Sequence, residues 1–391
     1  MKIKIPKIRP ITFLIAIYCM LIPLENVLAA SAGASINKYI GLLIMLMIGV
    51  SMIRKRSFSL NLQSNFGLLL FSGFILGSSL WATFVSSGNS TGIVLNMAVF
   101  LFLILHYPLN TSEYHYVCLL VAIFGSILAI MIVFNIGISS LVYERSTIVI
   151  AGVAIDQNNL AVSLAVPAIY AFHASQKYSR RKIFYLPLFG VMVLAILMSG
   201  SRGGLLAFGL GLLAYIFEAK DFSKWKIVLL LIIVLGLTPF AIQLLLPQNL
   251  ASRFTIESVL SSGGTGRINI WIRAWEIFKI SPLLRQLFGY GFGTFAYLQQ
   301  RFFQIYCAAH NDLIQLLLEV GVIGIALYLL MWFDFVKVTL KKKSPLPIAF
   351  LVCVAIGSLS MEMLVKKMLW NAIYLALIYP REKEPLNSLI R

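Results

Sequence analysis

The residues best suited to chemistry in this 391-residue sequence are one histidine and two arginines set beside small residues. His310 stands in Ala308-Ala-His310-Asn-Asp312, where a polar stretch gives way to an apolar one. Imidazole changes charge near neutral pH, so at such a junction it suits proton transfer. The plainer role for a lone histidine is a structural hydrogen bond. Arg202 lies in Ser201-Arg202-Gly203-Gly204, whose small side chains admit a second backbone closely and leave the guanidinium able to meet a ligand. An arginine that only snorkels to lipid headgroups is the alternative. Arg267 closes Ser261-Ser-Gly-Gly-Thr-Gly-Arg267. A glycine-rich turn ahead of a helix presents backbone N–H groups at the positive helix end, a seat for phosphate, and a guanidinium adds a planar two-pronged grip. No Gly-Lys-Ser/Thr follows, which excludes a nucleotide P-loop.

Weaker candidates surround these three. Asp312, Gln315 and Glu319 recur at helical spacing as a polar stripe, with Glu319 roughly 10 Å along the helix from Asp312. Acids at membrane depth are expensive and are either paired or functional. Arg273 sits within the segment that follows Arg267. Arg145 and the Asp156-Gln-Asn-Asn159 cluster, with Asn159 as a further candidate, precede an apolar run and read equally as a polar turn. Gly289-Tyr-Gly-Phe-Gly293 reads as a flexible turn. No metal site is expected: Cys19, Cys118, Cys307 and Cys353 lack ligand spacing, and three of them lie in apolar runs.

The elements that must position these residues are membrane helices. Hydrophobic residues make up 60% of the chain and charged residues 12%, against roughly a quarter charged in a soluble domain. So few charges cannot cover a water-facing surface. Spans are expected near 11–30, 38–53, 65–86, 91–108, 116–137, 158–175, 183–200, 203–218, 227–247, 312–333, 345–363 and 367–381. The apolar run 183–217 would be roughly 52 Å long as one helix, so Ser199-Gly-Ser-Arg-Gly-Gly204 must divide it. The expectation is an all-α integral membrane protein of about 12 transmembrane helices, a single polytopic domain over 1–391.

The net charge of +18 is read as membrane topology rather than nucleic-acid binding. With both termini cytoplasmic, about two thirds of the Lys and Arg residues fall on the inner side. That count keeps the first span uncleaved, although Lys2 to Ala32 also has the pattern of a signal peptide. The exception to the trend is a long, partly helical extracytoplasmic loop, 248–311. It carries Arg253, Arg267, Arg273, Lys279, Arg285 and Arg301 against Glu257 and Glu276. An anionic ligand at the outer face is the simplest cause. Within the loop, 266–280 is amphipathic. Ile268, Trp271, Ile272 and Trp275 mark an interfacial face, while Arg273, Glu276 and Lys279 mark the other.

The order of the motifs is more telling than any one of them. Ser-Arg202-Gly comes first, then Gly-Thr-Gly-Arg267 with Trp271, then Gly289 to Gly293, and last His310-Asn-Asp before Glu319-Val-Gly321-Val-Ile-Gly324. This series, in about a dozen spans with a long late loop, resembles the bacterial O-antigen ligase and O-antigen polymerase family. The motifs run from about Arg202 to Gly324; elsewhere the likeness is in span number and apolar character. The resemblance implies a GT-C-like membrane glycosyltransferase of the bacterial inner (plasma) membrane, with its active site on the periplasmic or external face. It implies a glycan donor on undecaprenyl pyrophosphate and a saccharide acceptor, either lipid A core or a second lipid-linked repeat. Arg202 and Arg267 would hold the pyrophosphate and His310 would act as general base. No cofactor, essential metal, nucleotide sugar or nucleic acid is implied. With no carboxylate well placed as a nucleophile, apart from Glu319, inversion at the anomeric carbon is expected. The rival class is a transporter or flippase of lipid-linked glycan, which would spread its charges along spans around a central cavity.

Overall fold

In hydrocarbon every backbone N–H and C=O must find its partner within the protein, so long apolar runs fold as helices. The computed structural model describes residues 8–25, 36–55, 66–82, 89–136, 139–142, 145–150, 152–219, 248–251, 254–255 and 266–380. The first half contains α1 (Pro10–Leu21), α2 (Ile36–Lys55), α3 (Phe66–Ser78), α4 (Asn89–His106), α5 (Thr111–Phe134), α6 (Gln157–Lys177), α7 (Lys182–Met198) and α8 (Arg202–Glu218). The second half contains α9 (Arg267–Ile280), α10 (Leu283–Phe288), α11 (Phe295–Phe303), α12 (Asp312–Glu319), α13 (Gly321–Leu340), α14 (Pro345–Ser358) and α15 (Lys367–Leu377).

Among the described residues, four helices are long and apolar enough to cross a membrane: Ile36–Arg54, Thr111–Phe134, Ser179–Met198 and Gly321–Leu340. Shorter apolar helices occupy Pro10–Leu24, Phe66–Trp81, Met97–His106 and Pro345–Ser358. The protein is a helical membrane protein. The expected span 227–247 and the glycine-rich stretch 261–265 lie outside the described residues.

Small residues let the helices approach closely. Gly211 of α8 lies where an added Cβ would stand 2.8 Å from Cys353 Cβ of α14. At Gly67 of α3, a Cβ would stand 2.8 Å from the Met331 backbone of α13. Polar ties sort into two groups at opposite ends of the bundle. At one end Arg9 Nε and Nη2 each donate to Glu113, both at 2.6 Å, and Gly67 N donates to Asp334 at 2.8 Å. At the other end Lys367 pairs with Glu25, Ser201 Oγ donates to Asn158 Oδ1 at 2.8 Å, and Phe292 N donates to Ser78 Oγ at 3.1 Å.

The structure departs from the sequence reading at several places. A three-stranded antiparallel sheet, β1 (Ser139–Val142), β2 (Arg145–Ile150) and β3 (Val153–Ala154), stands where only a polar turn was expected. Val142 pairs with Arg145 and Val149 with Ala154. The β-branched run Thr147-Ile-Val-Ile150 favours this extended form. Second, the expected span 312–333 is two helices. The break comes at Val320 and Gly321, whose φ of +65° ends α12 and starts α13.

Third, Gly289 to Gly293 is no flexible turn, because it packs against that break. Tyr290 N donates to Leu318 O at 2.9 Å and Gly291 N to Glu319 O at 2.8 Å, satisfying carbonyls that the interrupted helix frees. A Cβ on Gly289 would strike the Glu319 backbone, and one on Gly321 would sit 2.5 Å from Leu287 O. Two glycine-dependent backbones therefore lock together, and Gly291 is itself buried.

Candidate functional site

Five helices begin around one region of the end that holds Ser201 and Lys367. α6 is capped by Asp156, whose carboxylate accepts from Asn158 N and Asn159 N, both at 3.0 Å. α8 is capped by Ser201, which accepts from Gly204 N at 3.0 Å while donating to Asn158. These two hydrogen bonds of Ser201 fix Arg202, the first residue of α8, beside the α6 cap. α9 starts at Arg267 after Gly266, whose φ of +80° requires glycine. α12 is capped by Asn311, which accepts from Leu313 N at 2.9 Å and Ile314 N at 3.1 Å. α15 starts after Lys366. Helix starts carry positive dipole ends and free N–H groups, so their gathering favours an anion.

The three leading candidates share this region. Arg267 is half-buried, and burial pulls its guanidinium below the ordinary value. Asp156 opposes that shift, whereas repulsion from Arg202 reinforces it, so the two guanidinium groups and the Asp156 carboxylate lie within electrostatic reach. His310 keeps part of its surface open to solvent, yet the surrounding protein desolvates the ring and lowers its pKa. Arg267 and Lys366 push the same way, and Glu362 and Asp156 push back. The imidazole is therefore held neutral at pH 7, the form that accepts a proton. Its backbone is left-handed, with φ of +52°, an uncommon state for a side chain with a Cβ that clusters at functional sites.

Neighbours explain how that conformation is held. Ala309 N donates to Glu362, Ala309 O accepts from Trp271 Nε1 at 2.9 Å, and Asn311 Nδ2 donates to Leu359 O at 3.0 Å. The residues on both sides of His310 are thus pinned to the turn before α15 and to α9. Gly203 packs so closely on Ser360 that a Cβ would clash with its hydroxyl, joining the start of α8 to the same turn.

The remaining candidates take other places. Asp312 is 1% exposed; its oxygens accept from Leu364 N at 3.1 and 3.2 Å and from Tyr328 OH at 3.3 Å. Glu319 is also 1% exposed, accepting from Phe295 N at 3.0 Å and Gln315 Nε2 at 3.2 Å. Both carboxylates bind the fold together from inside. Arg273 lies over the Phe303 ring, 5.7 Å from its centroid. Arg145 opens β2, and Asn159 lines a cavity beside α15. On α9 the face toward the protein is Ala274 and Ile277 with Trp271 bonded to Ala309, while Ile268, Ile272 and Trp275 are exposed. Trp271 thus leaves the expected interfacial stripe to anchor the histidine segment.

Sequence reading passed over Glu362 and Lys366, and it placed Asp156 only in a weaker polar cluster. Glu362 and Lys366 stand in Ser360-Met-Glu-Met-Leu-Val-Lys366, a charged pair inside a short turn between two apolar runs. That isolation was their signal.

Residues 187–329 match the O-antigen ligase family model. The matched stretch contains Arg202, Arg267 and His310 and the whole ordered motif series, and so bears out the resemblance read from the sequence. A search of curated proteins gives no match to this chain.

Proposed function

We propose that this protein transfers a glycan from undecaprenyl pyrophosphate to a saccharide acceptor at the outer face of the bacterial inner membrane. The acceptor is lipid A core or a second lipid-linked repeat. The observation that carries this reading is the gathering of the starts of α6, α8, α9, α12 and α15, which brings Arg267 within electrostatic reach of Arg202 and His310. Like charges brought together in a half-buried site repel, and an anion placed between them offsets that repulsion.

The chemistry follows from the charges. The acceptor hydroxyl attacks the anomeric carbon as the bond from that carbon to the phosphate oxygen breaks. The leaving pyrophosphate carries off the electron pair, and Arg202, Arg267 and the helix starts stabilise its growing charge. His310 takes the proton of the hydroxyl. One displacement inverts the anomeric carbon, with Asp312 and Glu319 engaged elsewhere. On this reading both termini lie in the cytoplasm and the loop 248–311 lies outside.

The test is reconstitution with lipid-linked glycan and each acceptor in turn. Transfer should occur to one of them, and Arg202→Ala or Arg267→Ala should each lower it by about 10² to 10³. Correctly folded alanine variants that retain full transfer would remove the guanidinium groups from the mechanism.

A further inference from the structure

A cavity of about 140 Å³ opens between the turn that ends α1, the first two turns of α6 and the start of α15. Water takes roughly 30 Å³ per molecule in the liquid, so a cavity of about 140 Å³ holds about five waters, a space on the order of one sugar ring. Its polar wall is Glu25, Asn159, Ser163, Lys366 and Lys367, and Ile22, Ile155 and Met368 add apolar surface. Hydroxyls that donate and accept, with C–H faces between them, are what such a mixed wall recognises.

Two observations point to a ligand here. Lys367 is 3% exposed; it pairs with Glu25 and its ammonium lies 5.8 Å from the Tyr18 ring centroid. Taking an ion pair out of water opposes folding unless its geometry repays the loss, and apolar residues would fill the same place more cheaply. Second, the cavity adjoins the site already described. Lys366 lines it and also acts on His310, and Asn159 is held by the Asp156 cap.

Resting on the glycosyl-transfer reading, we propose that this cavity seats a pyranose residue of the acceptor. Lys367 and Glu25 read its hydroxyls, and Asn159 and Ser163, one turn apart on α6, line the facing wall. Acceptor selection then resides outside the arginine and histidine cluster, in the turn after α1, in α6 and at the start of α15.

The test places a thiol in the wall. Ser163→Cys changes one atom, and the Cys307→Ser background removes the one cysteine that is not buried. A methanethiosulfonate reagent should label the Ser163→Cys protein, and lipid A core or a lipid-linked repeat should slow labelling at least fivefold. Undecaprenyl pyrophosphate without sugar should leave the rate unchanged. Absence of labelling, absence of protection by either glycan, or equal protection by the bare lipid would each overturn the proposal. In parallel, Ser163→Phe should raise the acceptor KM about tenfold with donor saturation unchanged; an unchanged KM counts against the cavity. Wild-type protein that transfers to neither acceptor would instead overturn the glycosyl-transfer reading itself.

Discussion

Replacing Glu319 separates a structural carboxylate from a chemical one. Its Oε1 accepts from Phe295 N at 3.0 Å and its Oε2 from Gln315 Nε2 at 3.2 Å, all inside the protein. In Glu319→Ala both donors lose their acceptor, and each buried unpaired group costs about 1–3 kcal/mol, giving about 2–6 kcal/mol together. In Glu319→Gln the new carbonyl still accepts from Phe295 N. The new amide faces Gln315, whose Oε1 is buried without a partner among the described residues. A turn of the Gln315 amide presents that oxygen to the new N–H, so the substitution should change stability by about 1 kcal/mol or less. Thermal unfolding in detergent and transfer per folded molecule are the two measurements. Glu319→Gln should unfold near wild type and transfer within about tenfold of it, and Glu319→Ala should unfold early. A stable Glu319→Gln protein whose transfer falls by about 10³ or more would make the carboxylate a nucleophile, and single-displacement inversion would fail.

Other predictions follow from the same geometry. Transfer should fall as pH drops through the His310 pKa, which lies below its ordinary 6.5, because the protonated ring cannot take the acceptor proton. Arg267→Ala removes a repelling charge and should shift that acid limb upward, whereas Glu362→Gln should shift it downward; identical limbs in all three proteins would exclude His310 as the base. Gly321→Ala should destabilise by about 2–5 kcal/mol, from about 1–2 for the left-handed backbone and about 1–3 for crowding Leu287 O. Gly209→Ala, with nothing within 4 Å of the added Cβ, is the neutral control in unfolding measurements. Reporter fusions after Leu260 and after Lys342 should mark opposite sides of the membrane, and signals from one side would overturn the topology.

Helical membrane character was legible because it depends on composition and run length, which need no tertiary knowledge. The division of 183–217 at Ser199 to Gly204 was legible for the same reason: one helix of that length does not fit a bilayer. α7 ends at Met198 and α8 begins at Arg202, as expected. The break at Val320 and Gly321 was hidden, since Asp312 to Leu340 is nearly continuous in apolar pattern. The break is stabilised by a partner far away in sequence, the backbone of Gly289 to Gly291. The sheet was masked by its brevity, with β3 only two residues long. Of the site, residue type pointed to Arg202, Arg267 and His310. Glu362 and Lys366 escaped because Glu362 falls inside the expected span 345–363, whose helix ends at Ser358, and Lys366 reads as an ordinary loop charge until the fold sets both beside His310.

The electrostatics of the region explain why these charges converge there. Arg202, Arg267 and Lys366 contribute three positive groups, and each of the five helix starts adds a fraction of a positive charge. Among the described residues, Asp156 and Glu362 supply the negative charge that acts on this cluster, and one Asp156 oxygen also accepts from Asn158 N and Asn159 N. Folding alone gives no reason to accumulate this imbalance, because hydrophobic contacts between α8 and α14 or α3 and α13 would hold the bundle without it. An imbalance of this sign does have a use if the bound group carries more than one negative charge and gains more during reaction. A pyrophosphate leaving group does both. A neutral His310 beside it fits the same logic: the positive field that steadies the departing phosphate also lowers the imidazole pKa, so one arrangement of charge prepares the leaving-group and proton-accepting halves of the site together.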